Sequence, residues 1–403
     1  MAGSGRVEMR ALKGDGEWEA YSHLVAAAFA PALAADESQR RRWLRSTLES
    51  PDFTDDCGRG AFDGDDLLGG YLLEVWRMRL GETVVRTGCI GAVAVSAEHR
   101  MRGVGRQMLL DAVAEGRRRR CALLFLDGIA RFYRPFGFSD VWDPETHHFA
   151  RADAEALPDT EAAIRLARPE DARALAALYG RHFAAYTGSF GHSAEMAAYK
   201  LDAGIGGDTC LAVDRRGRVR GHLLLARRDR HIVREVAADD RDALCALLRH
   251  HARVVAAAPD APETLSWQVP ATSLTFGLLS DALDLRSEIR RTPYAGWMAR
   301  PGHPRELGRA VSSIWAERAR RGLAPTSGIQ IAVDGVRCQA PDRRQGGVEV
   351  RLSGGVWLAL AFGHRPVAWA SAQPGQHVPR RAWTLLQATL PDRPCWVAGS
   401  DRF

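Results

Sequence analysis

Several features that would fix a class at once are missing from this 403-residue chain. No apolar run approaches the ~20 residues that cross a bilayer, so no membrane segment is expected. The opening stretch MAGSGRVEMRALKGDGEWEA lacks the apolar core of an export signal, and the expectation is a mature cytoplasmic protein. Cysteines Cys57, Cys89, Cys121, Cys210, Cys245, Cys338 and Cys395 stand singly, odd in number and without a C-x-x-C pair. That argues against a disulfide framework and a structural zinc site. The pairs His147-His148 and His250-His251 have no carboxylate or cysteine partner at ligand spacing, and neighbours on a strand face opposite sides, so no metal is expected. The run Arg117–Arg120 has no interleaved aromatics for base stacking; a solvated helix end favoured by the dipole explains it, and no nucleic acid partner is expected.

A hydrophobic fraction of 46% beside 26% charged residues is that of a soluble globular chain, and the length predicts two or three domains. The net charge of +6 comes mostly from arginine, whose planar donors suit phosphates and carboxylates. The first region opens with a strand at Val7–Leu12 and an amphipathic helix through Tyr21, Leu24, Val25, Ala28 and Phe29. A polar stretch follows, then successive strands ending at "GCIGAVAV". After the next helix, "CALLFLDG" reads as a buried strand and "HHFARA" as another, while "RADAEALPDTEA" from Arg151 reads as a linker. "AAIRLARPEDARALAALYGRHFAA" then repeats the opening pattern of strand, acidic turn and helix, a weak internal repeat. Further on, a strand at Ile232–Val236 leads to a helix from about Asp239, and Asp239-Asp240 reads as its cap. From Tyr294 the texture changes to "MARPGHPRELGRAVSSIWAERARRG", followed by strands in "IQIAVDG", "GVEVRL" and "VWLALAFGH" and a final helix near "RRAWTLLQATL", which reads as a separate α+β domain.

The chemistry concentrates in "VAVSAEHRMRGVGRQMLL", residues 93–110. An alternating strand through Val93, Ala94 and Val95 leads into Arg100, Met101, Arg102, Gly103, Val104, Gly105 and Arg106, an R-x-x-G-x-G arrangement. Glycines there let backbone N–H groups approach an anion, the helix starting near Val104 aims its unpaired N–H groups at the same point, and the arginines add charge-assisted hydrogen bonds. A lone Gly-x-Gly is more often a plain strand-to-helix turn with solvated arginines, and the companion stretch Phe132–Phe138 shifts the balance. The second region has no counterpart of this loop after its corresponding strand.

With "RFYRPFGF" at residues 131–138, the motif resembles the GCN5-related N-acetyltransferase (GNAT) superfamily. "EHRMRGVGRQML", "FYRPFGF", "REVAADDRDALCALLR" and a closing phenylalanine together resemble its Eis (enhanced intracellular survival) branch. The resemblance implies an α/β, multidomain α+β fold: a catalytic GNAT domain at 1–152, a degenerate second GNAT domain at 153–293, both with mixed, mostly antiparallel sheets flanked by helices, and a sterol-carrier-protein-like α+β domain at 294–403. It also implies a hexamer that transfers acetyl from acetyl-CoA to primary amines of a small molecule, notably aminoglycosides.

Residue by residue, the resemblance implies that the strand at Val93–Val95 holds the pantetheine arm and polarises the thioester. The loop Arg100–Arg106 would hold the pyrophosphate, Tyr133 would be the general acid, and the terminal carboxylate of Phe403 the base. Phe29, Asp36, Glu37 and Trp43 would line the amine pocket, with Asp401 among the substrate contacts. A carboxylate beside aromatics suits a polyamine, although solvated loop acids are the plainer reading. The chain departs from the family at Ile129 and Arg131, where small residues are usual, and at Arg402, where an acidic residue is expected. Two alternatives stay open: a natural-product tailoring transferase using another acyl or one-carbon donor on one specific amine, and a non-catalytic protein carrying an apolar ligand.

Overall fold

The computed structural model describes residues 7–29, 36–205, 207–226, 229–289, 296–341, 347–392 and 395–401. Two compact units emerge: one from the chain as far as Trp142 with the later stretch ending at Cys395, the other from the intervening stretch beginning at Asp143 with residues 396–401.

The first unit begins β1 (Glu8–Ala11), α1 (Gly14–Phe29), α2 (Glu37–Leu48), β2 (Gly58–Asp63), β3 (Asp66–Leu80), β4 (Thr83–Val95), α3 (Val104–Arg118), β5 (Leu123–Asp127), α4 (Ala130–Tyr133) and β6 (Ser139–Trp142). Side chains along the strands alternate between two cores, as a pleat requires. Leu72 and Phe62 pack with Trp18, Tyr21 and Val25 of α1. Tyr71 and Leu73 pack with Val104, Met108, Leu109 and Ala112 of α3. Met108 and Leu109 are fully buried, and such burial stabilises by about 2 kcal/mol per side chain.

The second unit runs β7 (Glu145–Ala150), α5 (Arg151–Ala156), β8 (Ala163–Leu166), α6 (Ala172–His182), α7 (Ala194–Ala203), β9 (Asp208–Val213), β10 (Val219–Leu225), β11 (Ile232–Ala238), α8 (Arg241–Ala256), β12 (Thr264–Trp267), α9 (Leu274–Ala282) and β13 (Arg286–Ile289). The remaining elements belong to the first unit: β14 (Trp297–Pro301), α10 (Pro304–Arg320), β15 (Gly328–Val333), β16 (Val336–Cys338), β17 (Gly347–Leu352), α11 (Gly354–Ala361), α12 (Val367–Ser371) and α13 (Trp383–Thr389).

Each unit holds a seven-stranded sheet, β1-β2-β3-β4-β5-β14-β6 in the first and β8-β9-β10-β11-β12-β7-β13 in the second. One parallel pair interrupts each otherwise antiparallel ladder, β4 with β5 and β11 with β12. The repeat that is faint in sequence is thus explicit in topology, and the fold is mixed α/β with GNAT-like sheets flanked by helices. In each sheet the sixth position is filled by a strand from elsewhere in the chain, β14 or β7. β14 completes the first sheet, β15–β17 form a separate three-stranded sheet, and residues 396–401 belong to the second unit.

Three local expectations are corrected. The polar stretch before Trp43 is helical from Glu37, because the Asp36 side chain caps it by accepting from Gln39 N and charge pairs Glu37–Arg41 and Arg45–Glu49 lie at i,i+4. The supposed linker at Arg151 begins as α5, whose Ala154 is fully buried in the core shared with α8. "VWLALAFGH" forms α11 rather than a strand, with Ser353 capping through Val356 N. An apolar run this short carries no periodicity that separates the two structures, and the cap decides it.

Candidate functional site

β4 and β5 are parallel partners only from Thr87–Leu123 to Cys89–Phe125, although β4 continues to Val95 and β5 to Asp127. Past that point the strands part. On its other edge β4 slips register against β3 between the Leu72–Gly91 and Gly70–Ala94 pairs, a bulge in which Ala92 takes a left-handed φ of 48°. Bulges of this kind re-aim backbone groups beside functional sites. The Ala92 carbonyl accepts the Tyr21 hydroxyl at 2.7 Å, which ties the bulge to α1.

Beyond Val95 the chain turns through Ser96 and a 3-10 segment at Ala97–His99 to the exposed residues Arg100, Met101 and Arg102. Arg100 Nε donates to the Val95 carbonyl at 3.2 Å, pinning the loop to the strand end. Met101 (φ 60°) and Gly103 (φ 87°) both take left-handed backbone, which curls the loop back over the helix start. α3 has Gly103 at its N-cap with no capping side chain, and its first internal bond is Gln107 N to Gly103 O at 3.1 Å. The N–H groups of its first turn are thus left to an external acceptor, with Arg106 exposed beside them. An anion fits here. Orientation of α3 comes from below: Asp111 accepts from Arg59 Nε at 2.6 Å and from the Tyr71 hydroxyl at 2.5 Å, both anchored in the sheet.

α4 and the turn after it close the other side. A Cβ on Gly105 would meet the Phe132 ring at 3.2 Å and Val95 at 3.8 Å, so the phosphate loop, the end of β4 and the α4 segment are in mutual contact. Tyr133 is 8% exposed and packs in the core with Val104, Leu126 and Met298, with Val93 and Val95 at its margin. Gly128 accommodates its ring: a Cβ there would lie 2.4 Å from Tyr133. Burial, reinforced by the Asp127 charge, pushes the Tyr133 phenol up to about 12. The phenol is therefore protonated at neutral pH, the form a proton donor needs.

Val93, Ala94, Val95, Arg100, Gly103, Val104, Gly105, Arg106 and Tyr133 thus converge on one region of the first unit. The other sequence-derived positions are placed differently. Phe29 is the exposed last residue of α1. The Asp36 carboxyl accepts from Ser38 and Gln39 N, which hold it below the usual carboxylate range, and Glu37 pairs with Arg41. Trp43 lies edge-on to Tyr21, ring centroids 6.0 Å apart. Asp401 belongs to the second unit, fully buried, with its carboxylate bonded to Tyr179 and His192. Arg402 and Phe403 lie outside the described residues. The Tyr21 tether, the Ala92 bulge and the Asp111 network have no signature in sequence, since they depend on contacts between distant segments. Within the arginine run, Arg119 is not simply solvated: it donates to the Leu73 carbonyl at 3.0 Å and to the Asp56 carbonyl at 2.6 Å.

The corresponding place in the second unit is closed. α8 is capped by Asp240, whose carboxyl accepts from Ala243 N at 2.9 Å and pairs with Arg220. A carboxylate fills the position a phosphate would need. His147, bonded to Ser287 and the Val269 carbonyl, and His251, which accepts from Trp267 Nε1, are satisfied core histidines. Among the described residues no group of His, Cys, Asp and Glu could hold a metal ion, and no helix is long and apolar enough to cross a membrane.

Residues 8–141 match the family model of the acetyltransferase (GNAT) domain. The structure is similar along its whole length to a GCN5-related N-acetyltransferase from Kribbella flavida (TM-score 0.69, 19% identity, 100% of both chains covered). It is also similar to one from Anabaena variabilis ATCC 29413 (TM-score 0.71, 13% identity, 99% of this chain and 100% of that one). A third likeness is to Eis1 from Mycobacterium abscessus (TM-score 0.63, 17% identity, 99% of this chain and 100% of that one). At these identities the likeness is one of fold. No curated protein matches the chain in sequence. The chain carries a GNAT acetyltransferase domain and is an N-acyltransferase of that type.

Proposed function

We propose that the protein is an Eis-like N-acetyltransferase that moves acetyl from acetyl-CoA to primary amines of an aminoglycoside-like or other amine-bearing small molecule. The observation that carries this is the coincidence, in the first unit, of the parted β4–β5 edge with the uncapped start of α3. Acetyl-CoA would lay its pantetheine along the free edge of β4, as a short extra strand, with its pyrophosphate on the N–H groups and arginines of residues 100–106. Backbone N–H groups at Val93–Val95 would polarise the thioester carbonyl, a contribution of about 3 kcal/mol for a preorganised donor. The amine attacks that carbonyl, the tetrahedral intermediate collapses with loss of thiolate, and the protonated Tyr133 phenol supplies the thiolate's proton. The Phe403 carboxylate takes the proton released by the amine. Phe29, Asp36, Glu37 and Trp43 are assigned to the amine side.

The domain assignment that goes with this is catalytic GNAT at 1–152, degenerate GNAT at 153–293 and a sterol-carrier-like domain at 294–403, in a cytoplasmic homo-oligomer, hexameric by resemblance. The test is transfer from acetyl-CoA to a panel of primary amines, aminoglycosides included, read by product mass. Acetylated product, with turnover lowered by residues appended after Phe403 and donor affinity kept, is expected. Transfer of a different group from another donor in the panel would favour a tailoring transferase instead.

A further inference from the structure

In the second unit the pleat of β10 sends Leu223 and Leu225 into the core beside Leu244 and Leu247 of α8, and turns His222 and Leu224 to the other face of the sheet. On that other face lies a cavity of about 50 Å³, lined by His222, Tyr179 of α6, Lys200 of α7, Glu235 of β11, His192 and Ser400. All six belong to the second unit. The cavity is on the opposite side of the sheet from α8 and its Asp240 cap, so it is no remnant of a phosphate seat.

The acceptors around this cavity are already engaged. Glu235 accepts from His222 Nε2 at 2.9 Å through one oxygen and from Ser400 N at 2.6 Å through the other. Burial drives the Glu235 carboxyl up, but His222, with help from His192 and Ser400, more than reverses this and holds it at about 2, so it stays ionised. Asp401 accepts from the Tyr179 hydroxyl at 2.5 Å and from His192 Nε2. The donors are in excess. Lys200 Nζ gives one hydrogen to the Ser400 carbonyl at 2.5 Å and lies 3.5 Å from Asp401. It also lies 2.9 Å from His192 Nε2, which has given its own hydrogen to Asp401 and cannot accept. His222 is 3% exposed, and its Nδ1 has no hydrogen-bond partner among the described residues; nor has the buried Ser400 Oγ. Three basic side chains, Lys200, His192 and His222, thus stand against two carboxylates, Asp401 and Glu235.

We infer that this cavity is a binding site for a small monovalent anion, chloride or a one-carbon carboxylate, held by Lys200 Nζ, His222 Nδ1 and Ser400 Oγ. A buried charge is costly unless it is paired, and one negative charge balances the three bases against the two carboxylates. Water would meet the same donors but leave that charge uncompensated. The cavity has room for more than one water-sized group, which suits a monatomic ion or a formate and excludes a bulky one. Charge-assisted hydrogen bonds from an ammonium, an imidazolium and a hydroxyl are the usual means of holding such an ion. Bound there, it would join α7 to β10 and to Ser400, and so stabilise the second unit. The inference is independent of the transfer reaction, and it gives a ligand to the unit whose helix start is closed by Asp240.

Thermal unfolding of the full chain is followed while sodium chloride or sodium formate replaces sodium gluconate at fixed ionic strength, gluconate being a monovalent anion too large for the cavity. The expected result is a saturable rise in Tm of about 3 °C or more with chloride or formate. The ion that saturates at the lower concentration is the one the site prefers. Lys200→Met should abolish the rise, and Ser400→Ala should raise the half-saturating concentration about tenfold. Since the Ser400 Oγ has no partner to lose, Ser400→Ala carries the test should Lys200→Met fail to fold. The Arg100→Ala/Gly105→Asp variant, altered in the donor seat of the first unit, should respond as the native chain does. A rise that disappears in this variant would assign the anion to the donor seat and overturn the inference. So would a response to gluconate equal to that of the small anions, an undiminished response in Ser400→Ala, or no response in the native chain.

Discussion

The Tyr21 hydroxyl and the Ala92 carbonyl meet at 2.7 Å across 71 residues of sequence, and this bond holds the one strained turn of β4 where the strand leaves β5. Tyr21 is fully buried, and burial keeps its phenol well above its usual range, so it remains a donor at any working pH. Tyr21→Phe leaves the bulge carbonyl without its partner, at a cost of about 1 to 3 kcal/mol. Turnover is expected to fall severalfold with a lower Tm. Steady-state kinetics and thermal unfolding check this, and native values of both would show that the bulge holds itself.

Tyr133→Phe removes the proposed acid and leaves the ring packing. The expected loss in kcat is about 10²-fold or more, with acetyl-CoA affinity within about twofold of native. Calorimetry for binding and single-turnover kinetics for chemistry separate the two.

The pH dependence follows from the same phenol. Its folded value is raised to about 12, so no decline in kcat from loss of this proton is expected below about pH 11. Linkage gives the matching stability effect: the contribution is fully present below the ordinary value of about 10 and is lost as pH rises toward the folded one. Alkaline unfolding of Tyr133→Phe should therefore be the less steep of the two between about pH 10 and 12. Stability followed by tryptophan fluorescence across that range is the check.

Asp240→Ala probes the second unit. Loss of the α8 cap is expected to cost about 1 kcal/mol in stability and to leave acetyl-CoA stoichiometry and affinity as in the native chain. A second equivalent of bound acetyl-CoA in the variant would mean that only this carboxylate closes a working site.

Much of the first site was legible in sequence because it is local. The alternation up to Val95, the glycines at 103 and 105 and the arginines among them lie within one strand-loop-helix, and the structure keeps them together. Asp239-Asp240 likewise announced a cap, although only Asp240 caps; Asp239 pairs with Arg181 and His182. What was not legible depends on distant contacts. Nothing around Trp297 says that β14 will sit between β5 and β6, and nothing around Asp401 names Tyr179 or His192 as its partners. The segments that differ from the expectation are set by their caps: Asp36, with i,i+4 charge pairs, makes the polar α2 helical, and Ser353 does so for the short apolar run of α11.

Calorimetric titration with acetyl-CoA, comparing the native chain with an Arg100→Ala/Gly105→Asp double variant, bears most directly on the whole account. One equivalent bound per chain is expected, with affinity reduced about 100-fold or more in the variant, since each charge-assisted bond to phosphate is worth about 1.5 to 3 kcal/mol. Undiminished binding in the variant, or none in the native chain, would contradict the assignment of residues 100–106 as the seat of the donor.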